Sequence, residues 1–508
     1  MKKTIALESL TAVLTAFLVI TFFSMTTSFL YRGYLISNFL DSNFFQLTGK
    51  LILEGKVPYR DFFDHKGPFV FYLEALGYWI SPKYGIYLLS ILNLTFSFFF
   101  FQRTGDLLSL PKGATLTGLF LFAMLIGWTY EGNTIAEMTL PFVALPLYLF
   151  IKALVQNKDR DYLWGNLLNG LSLSFALFTR ATDCLVNAGF FLFFLVEMIR
   201  KKRPGFFFLN AGIAVLGAVL LSLPPILIAQ EQGTLELMFE ASILDNFHYV
   251  QGAASPFRYY FMAVWIVLLP LFLFVLFCLR KDDLDPEIAL FLSITSGFFS
   301  FCFILISNYA HYFIISFPVI GLITALLTAD FIRRAFEQGK LAQRRTAIRR
   351  GYASILAAIT VISAAIPLTE YYVRPAEDRN FADYGNYLKV SEALAKVPES
   401  SKGNTFVFDS NPSFYLIGDY STNCRYVSYQ SWQSVFEPEI DEEVKRYVSS
   451  AEADYIVYDD YYSEHISPAA RAQREEVFQA ISEHYLKAYD NGYVTIYAKN
   501  AELQSQLA

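Results

Sequence analysis

The chain has 508 residues, 55% of them hydrophobic and 17% charged, with Phe (51) and Tyr (33) abundant, and a mean hydropathy of +0.37. That balance excludes an ordinary soluble domain and a disordered chain, and it points to an α-helical polytopic membrane protein. The net charge is −6, and the chain has no basic domain of the kind that binds nucleic acid. Three of the four cysteines (Cys184, Cys278, Cys302) sit in apolar runs and Cys424 stands alone. Neither a disulfide framework nor a cysteine metal site is expected.

Lys2 and Lys3 precede a long apolar run. A run of about 20 residues crosses roughly 30 Å of hydrocarbon. No small-x-small cleavage site follows it, so it is read as a retained first span, 9–30, and not as a signal peptide. Next comes DSNFFQLTGKLILEGKVPYRDFFDHKGPFVFYL (41–73), a charged, turn-rich segment in an otherwise apolar region. Leu40, Phe44, Leu47 and Leu51 share one helical stripe, and Gly55 and Pro58 end it. The spacing predicts a helix over 41–54, lying along the membrane surface with its apolar face down. Asp41 opens that helix, where the helix dipole alone would favour an acid. The turn VPYRDFFDHKGP gathers Arg60, Asp61, Asp64, His65 and Lys66. Either these are solvated charges with snorkelling bases, or they form a site. The run 69–80 is too short to span and reads as a second interfacial helix.

Further spans are expected at 84–101, 114–130, 136–155, 165–179, 183–199, 206–229, 259–280, 287–306, 311–331 and 351–369, about eleven in all with the first. The loops alternate in charge. One set holds Lys2 and Lys3, Arg103 and Lys112, then Lys152, Lys158 and Arg160, the run Arg200 to Arg203, Arg280 and Lys281, and a basic stretch from Arg333 to Arg350. The other set is poor in Lys and Arg outside 31–83. The positive-inside rule then places the N-terminus in the cytoplasm and the C-terminal region outside, in a multi-pass plasma-membrane protein. The basic stretch 333–350 reads as a topology signal or a contact with anionic membrane lipids. After residue 369 the composition becomes that of a soluble domain. Strands are expected at 405–409, 425–429, 455–459 and 493–498, and helices near 380–397, 436–449 and 467–485. The division is therefore a membrane domain, 1–369, and a small extracytoplasmic α/β domain, 370–508.

Other charged or polar residues stand beside spans. Glu131 and Glu137 flank YEGNTIAEMTLP, and such acids are functional suspects unless paired, for instance with Arg180. Arg180, in LFTRATD, either binds phosphate or snorkels. His311 and Tyr312 stand at the outer end of a span. His248 lies in the loop 230–258 and, with Asp64 or His65, gives a divalent-metal reading resting on sequence-distant ligands. No Walker or GxGxxG motif is present, which argues against nucleotide-sugar and ATP-driven chemistry.

An acid just after span one, HKGPFVFYL (65–73) entering the next helix, and NYAHYFIISFP (308–318) together resemble the GT-C class of membrane glycosyltransferases. The likeness is to the branch holding protein O-mannosyltransferases and the lipid A aminoarabinose transferase. The chain departs from it with Gly67 where many members have proline, and with Asp41-Ser42 where two acids adjoin. The resemblance implies a GT-C-like fold and transfer of a sugar from a polyprenyl-phosphate donor to a hydroxyl of a lipid, glycan or protein outside the cytoplasm. It implies Asp41 as catalytic base and Glu137 as a second catalytic acid. Lys66 and Arg60 would hold the phosphate, and Asp64 or His65 with His248 would be metal ligands on the pattern of the aminoarabinose transferase. Arg180, His311 and Tyr312 are further substrate-binding candidates, against a snorkelling arginine and a satisfied interfacial histidine. One carboxylate acting as base in a direct displacement predicts inversion at the anomeric carbon. Two other readings stay open. A lipid-linked polysaccharide polymerase or ligase would shift weight to 230–258. A secondary transporter would need broken helices and inverted repeats, which the sequence does not show.

Overall fold

The computed structural model describes residues 2–23, 40–129, 133–245, 285–306, 310–337, 384–427, 429, 438–459 and 468–507. Their helices, in chain order, begin with α1 (Lys2–Phe23), α2 (Leu40–Leu53), α3 (Pro68–Ile80), α4 (Gly85–Leu107), α5 (Lys112–Thr129) and α6 (Ile135–Gln156). They continue with α7 (Asp159–Leu177), α8 (Cys184–Arg200), α9 (Pro204–Glu231), α10 (Leu235–Phe239), α11 (Pro286–Ile306) and α12 (Phe317–Glu337). Among the described residues, six segments are long and apolar enough to cross a membrane: Lys3–Ile20, Gly85–Leu107, Ile135–Gln156, Ala181–Arg200, Pro204–Glu231 and Tyr312–Arg333. The expected spans 259–280 and 351–369 lie outside the described residues. The span expected at 311–331 opens with a 3-10 segment, Ala310–Ser316, before α12. Pro318 sits at the second position of α12, where its missing N–H costs nothing.

The chain divides into two compact units. The first comprises Met1–Met25, Leu88–Leu227 and Ala253–Tyr371; the second comprises Thr26–Tyr87, Ile228–Gly252 and Tyr372–Ala508. A cut at 369/370 therefore differs from this division, because the first loop shares a unit with the C-terminal residues.

In the first unit, α6 begins with Thr134, whose Oγ1 accepts the N–H of Glu137 at 3.2 Å, a side-chain cap on an otherwise orphaned donor. α9 turns Phe208, Leu216, Leu220 and Leu227 outward, the composition a lipid-facing helix requires.

In the second unit, α2 ends as its sequence demands. Gly55 adopts φ +88°. The Lys56 N–H reaches Leu51 O at 2.9 Å and the Gly55 N–H reaches Ile52 O at 3.0 Å, the paired bonds of a left-handed C-cap. The rest of α2 departs from expectation. A single apolar stripe predicted one buried face, yet Ser42, Asn43, Gln46, Thr48 and Lys50 are buried as well. Their partners come from far along the chain. Lys50 Nζ donates to Tyr420 O at 2.7 Å and pairs with Asp419 at 3.0 Å. α2 also meets α3 at the closest distance backbones allow: a Cβ on Gly49 would lie 2.6 Å from the carbonyl of Glu74. α3 buries Val70, Phe71 and Ala75 and leaves Leu76, Trp79 and Ile80 exposed.

The C-terminal residues add α13 (Tyr384–Leu394), β1 (Thr405–Phe408), α14 (Ser413–Gly418), α15 (Pro438–Ser449), β2 (Tyr455–Tyr458), α16 (Pro468–His484), β3 (Leu486–Asp490), β4 (Thr495–Ala498) and α17 (Ala501–Ser505). The sheet order is β1-β2-β4-β3. β1 and β2 run parallel with Thr405 opposite Tyr455, and β2–β4 and β4–β3 are antiparallel. Phe406, Phe408, Ile456, Val477 and Ile481 form its core. The strand expected at 425–429 is not formed by the described residues 425–427 and 429. Part of its backbone is engaged elsewhere, since Arg425 O accepts the N–H of Phe63 at 3.0 Å. The fourth strand is instead β3, which is half-exposed to fully exposed and so carries no hydrophobic run.

Candidate active site

Four of the residues singled out in the sequence meet in the second unit. Asp41 lies in the first turn of α2. Asp64, His65 and Lys66 lie in the turn that feeds α3, whose start is set by Pro68. Asp64 and His65 are buried. His65 Nδ1 lies 3.2 Å from Asp64 Oδ1, and Lys66 Nζ bonds His65 Nε2. A carboxylate on one ring nitrogen and an ammonium on the other select the Nδ1–H tautomer, with Nε2 as acceptor. Burial holds the imidazole well below its ordinary value, and the Lys66 charge adds to this, so His65 is neutral.

Burial pushes the Asp64 carboxyl up to about 6; the Lys66 charge opposes this, the Asp41 charge adds to it, and the N–H groups of His65 and Lys66 hold the ionised form. Asp64 thus feels both the Asp41 carboxylate and the Lys66 ammonium. Stability follows from the sign of the shift. An unfolded aspartate gives up its proton near 3.8, whereas Asp64 keeps it to about 6. The folded chain thus binds the proton more tightly, and this residue's contribution falls as pH rises from about 4 to about 6, by about 3 kcal/mol at most. In chelator-treated protein, the melting temperature of Asp64→Asn minus that of the wild type should grow across this window and level off above it. A flat difference from pH 4 to 7 would count against the buried, proton-holding carboxyl.

Tyr59 supports this turn. Its OH donates to Lys66 O at 2.8 Å, and its N–H donates to Phe62 O at 2.8 Å. Its ring packs edge-on to Phe71 at 5.6 Å. Its φ is +68°, a region a bulky residue occupies at a cost of about 1–3 kcal/mol and only when its surroundings hold it there. Arg60 is not part of the cluster. It is half-exposed and pairs with Asp61 at 3.0 Å, while Asp61 Oδ2 accepts the Val57 N–H at 2.7 Å.

The first unit gathers a second set. Arg180 is buried; its Nε donates to Asp183 Oδ1 at 2.8 Å, and its guanidinium lies 3.8 Å from the centroid of the Tyr312 ring. Asp183 Oδ2 accepts from Thr139 Oγ1 at 3.2 Å. Glu137, two residues earlier on α6 and buried, accepts from Ser90 Oγ at 3.3 Å. Arg180 is thus a buried cation on an aromatic face, with Asp183 as an ion-pair partner. His311 lies on the same 3-10 segment as Tyr312. His248 lies outside the described residues.

Among the described residues no group of three or more His, Cys, Asp or Glu side chains is placed to hold a metal. Both ring nitrogens of His65 already face partners, Asp64 and Lys66. The expected metal set also drew on His248, which lies outside the described residues.

Two residues at these sites were not singled out from the sequence. Asp183 stands three after Arg180, the spacing at which opposite charges meet across one turn, so a signal existed. Tyr59 gave none, because its role depends on a backbone angle.

The fold is GT-C-like. Over 97% of its length the chain is similar to crystal structures of ArnT from Cupriavidus metallidurans. It covers 98% of that chain at 12% identity, with a TM-score of 0.63 to the structure bound to undecaprenyl phosphate and 0.62 to the apo structure. No protein-family model matches the chain, and no curated protein matches it in sequence.

Proposed function

We propose that this chain is an integral membrane glycosyltransferase that moves a sugar from a polyprenyl-phosphate donor to an acceptor hydroxyl on the extracytoplasmic face, with inversion. The observation that carries the reading is the cluster of Asp41, Asp64, His65 and Lys66 at the entry to α3. The undecaprenyl phosphate bound in one of the similar ArnT structures supports a polyprenyl-phosphate donor.

The chemistry asks for two roles in particular. Asp41 takes the proton of the acceptor hydroxyl as the new glycosidic bond forms. Lys66 stabilises the negative charge that grows on the departing polyprenyl phosphate. Neutral His65, accepting from Lys66 Nζ, orients that ammonium without competing for its charge. Arg180, held by Asp183 against Tyr312, is assigned to an anionic part of the substrate, and Glu137 to a second acid. The charge pattern of the loops supports a cytoplasmic N-terminus and a loop site outside.

Purified protein mixed with a polyprenyl-phosphate hexose or pentose and an envelope lipid fraction should release polyprenyl phosphate and label the acceptor. Turnover of a nucleotide sugar in place of the lipid donor would overturn the reading.

A further inference from the structure

Two C-terminal side chains reach the segments that carry Asp41 and Lys66. Asn43, two residues after Asp41 on α2, donates from Nδ2 to Asn411 Oδ1 at 2.9 Å, and both residues are buried. The same oxygen of Asn411 accepts the N–H of Ser413 at 2.9 Å, which fixes the amide at the start of α14. Arg425 grips the turn before Lys66 from two sides. Its Nε donates to Tyr59 O at 2.9 Å, and its own carbonyl accepts the N–H of Phe63 at 3.0 Å. Its guanidinium lies 5.3 Å from the Phe63 ring centroid, and that ring meets Tyr426 at 5.4 Å. Tyr59 then passes the constraint on through its OH to Lys66 O at 2.8 Å. Tyr59 at φ +68° is a conformation that must be held from outside, and Arg425 holds its carbonyl.

We propose that the C-terminal domain is a positioning element of this site: Arg425, through Tyr59, sets the place of Lys66, and Asn411, through Asn43, sets the place of Asp41. The proposal rests on the functional reading above for what Lys66 and Asp41 do. Arg425 and Asn411 are positioning residues, acting through others. The physical ground is that a displacement of about 1 Å in a reacting group costs on the order of 10²-fold in rate. Ordinary packing would tie the domain to the loop through side chains. Here both bonds of Arg425 run through backbone atoms of the turn itself.

The test uses the full-length chain in lipid, with Arg425→Ala, Arg425→Lys, Asn411→Ala, Tyr59→Phe and Asp41→Asn. Two readouts are taken: transfer kinetics with a polyprenyl-phosphate sugar, and hydrogen exchange over residues 56–67. Arg425→Ala and Tyr59→Phe should lower turnover by about 10- to 10²-fold, raise the donor KM, and speed exchange in 56–67, with melting temperature nearly unchanged. Arg425→Lys keeps one donor for the Tyr59 carbonyl and should recover most of both. Asn411→Ala should lower kcat more than it raises the donor KM, because it acts on the Asp41 side. Wild-type exchange and kinetics in Arg425→Ala and Tyr59→Phe would overturn the proposal, as would activity lost only in proportion to unfolded protein. If Arg425→Ala does not fold, Tyr59→Phe decides alone, since it loses one hydroxyl and keeps the ring. The Asp41→Asn control separates the two claims. Full transfer there sinks the functional reading, while the exchange data still decide whether Arg425 orders the turn.

Discussion

Asp41→Asn should lose sugar transfer by about 10²- to 10⁴-fold, the usual contribution of a positioned general base, while the chain still folds and inserts. The rival account is that Asp41 only complements the dipole of α2. That effect is worth about 0.3–1 kcal/mol, and it predicts a small fall in stability with transfer intact. The two accounts differ in which property is lost. Asp41 adds to the upward pressure on the Asp64 carboxyl, so removing its charge relieves a like-charge repulsion and partly offsets the lost dipole term. A variant that melts like the wild type and does not transfer sugar is therefore the expected result. Transfer within a few fold of wild type, with insertion verified, would falsify the assignment of Asp41.

Local rules carried far along this chain where the cause of structure was local. Gly55 and Pro58 marked the end of α2, and the observed cap at Lys56 and Gly55 is the one that glycine permits. Periodicity located the helices near 380–397, 436–449 and 467–485, because each buries one apolar face: Val390, Ala393 and Leu394 in the first, Ile440 and Val444 in the second, Val477 and Ile481 in the third. It failed where the partner is distant in sequence. The polar side of α2 read as solvated, yet Asn43 and Lys50 are satisfied by Asn411 and Tyr420, and no window on the sequence holds both ends of those bonds. The segment at 425–429 has the composition of a strand, yet its Arg425 carbonyl is taken by the N–H of Phe63. The edge strand β3 has the reverse problem, since a half-exposed strand need not be apolar. At the candidate site, the residue types in 41–66 announced an acid-and-cation cluster. Arg60 belonged to it by proximity in sequence but turns to Asp61. Only the fold separates the two fates: Tyr59 takes φ +68°, and a tight loop joins Pro58 to Phe62.

Lys66→Ala should raise the donor KM and lower kcat together, by about 10²- to 10³-fold in kcat/KM, as expected when a cation that stabilises developing charge is removed. The acceptor KM should hardly move. If Lys66 merely snorkels, both substrates are unaffected; if it only supports the fold, both suffer alike with the melting temperature. The electrostatics of the turn sharpen the expectation. The Lys66 charge is the main force opposing burial at Asp64, and it also helps to hold His65 neutral. Without it Asp64 keeps its proton to higher pH and His65 gains one more readily, so the pair regains charge balance on its own. The turn can therefore survive the loss of Lys66 in a way that transfer cannot. Lys66→Arg tests the same point from the other side. It restores the charge on a longer, planar group, so it should recover donor binding more fully than kcat, because phosphate needs a cation nearby and the transition state needs it in one place.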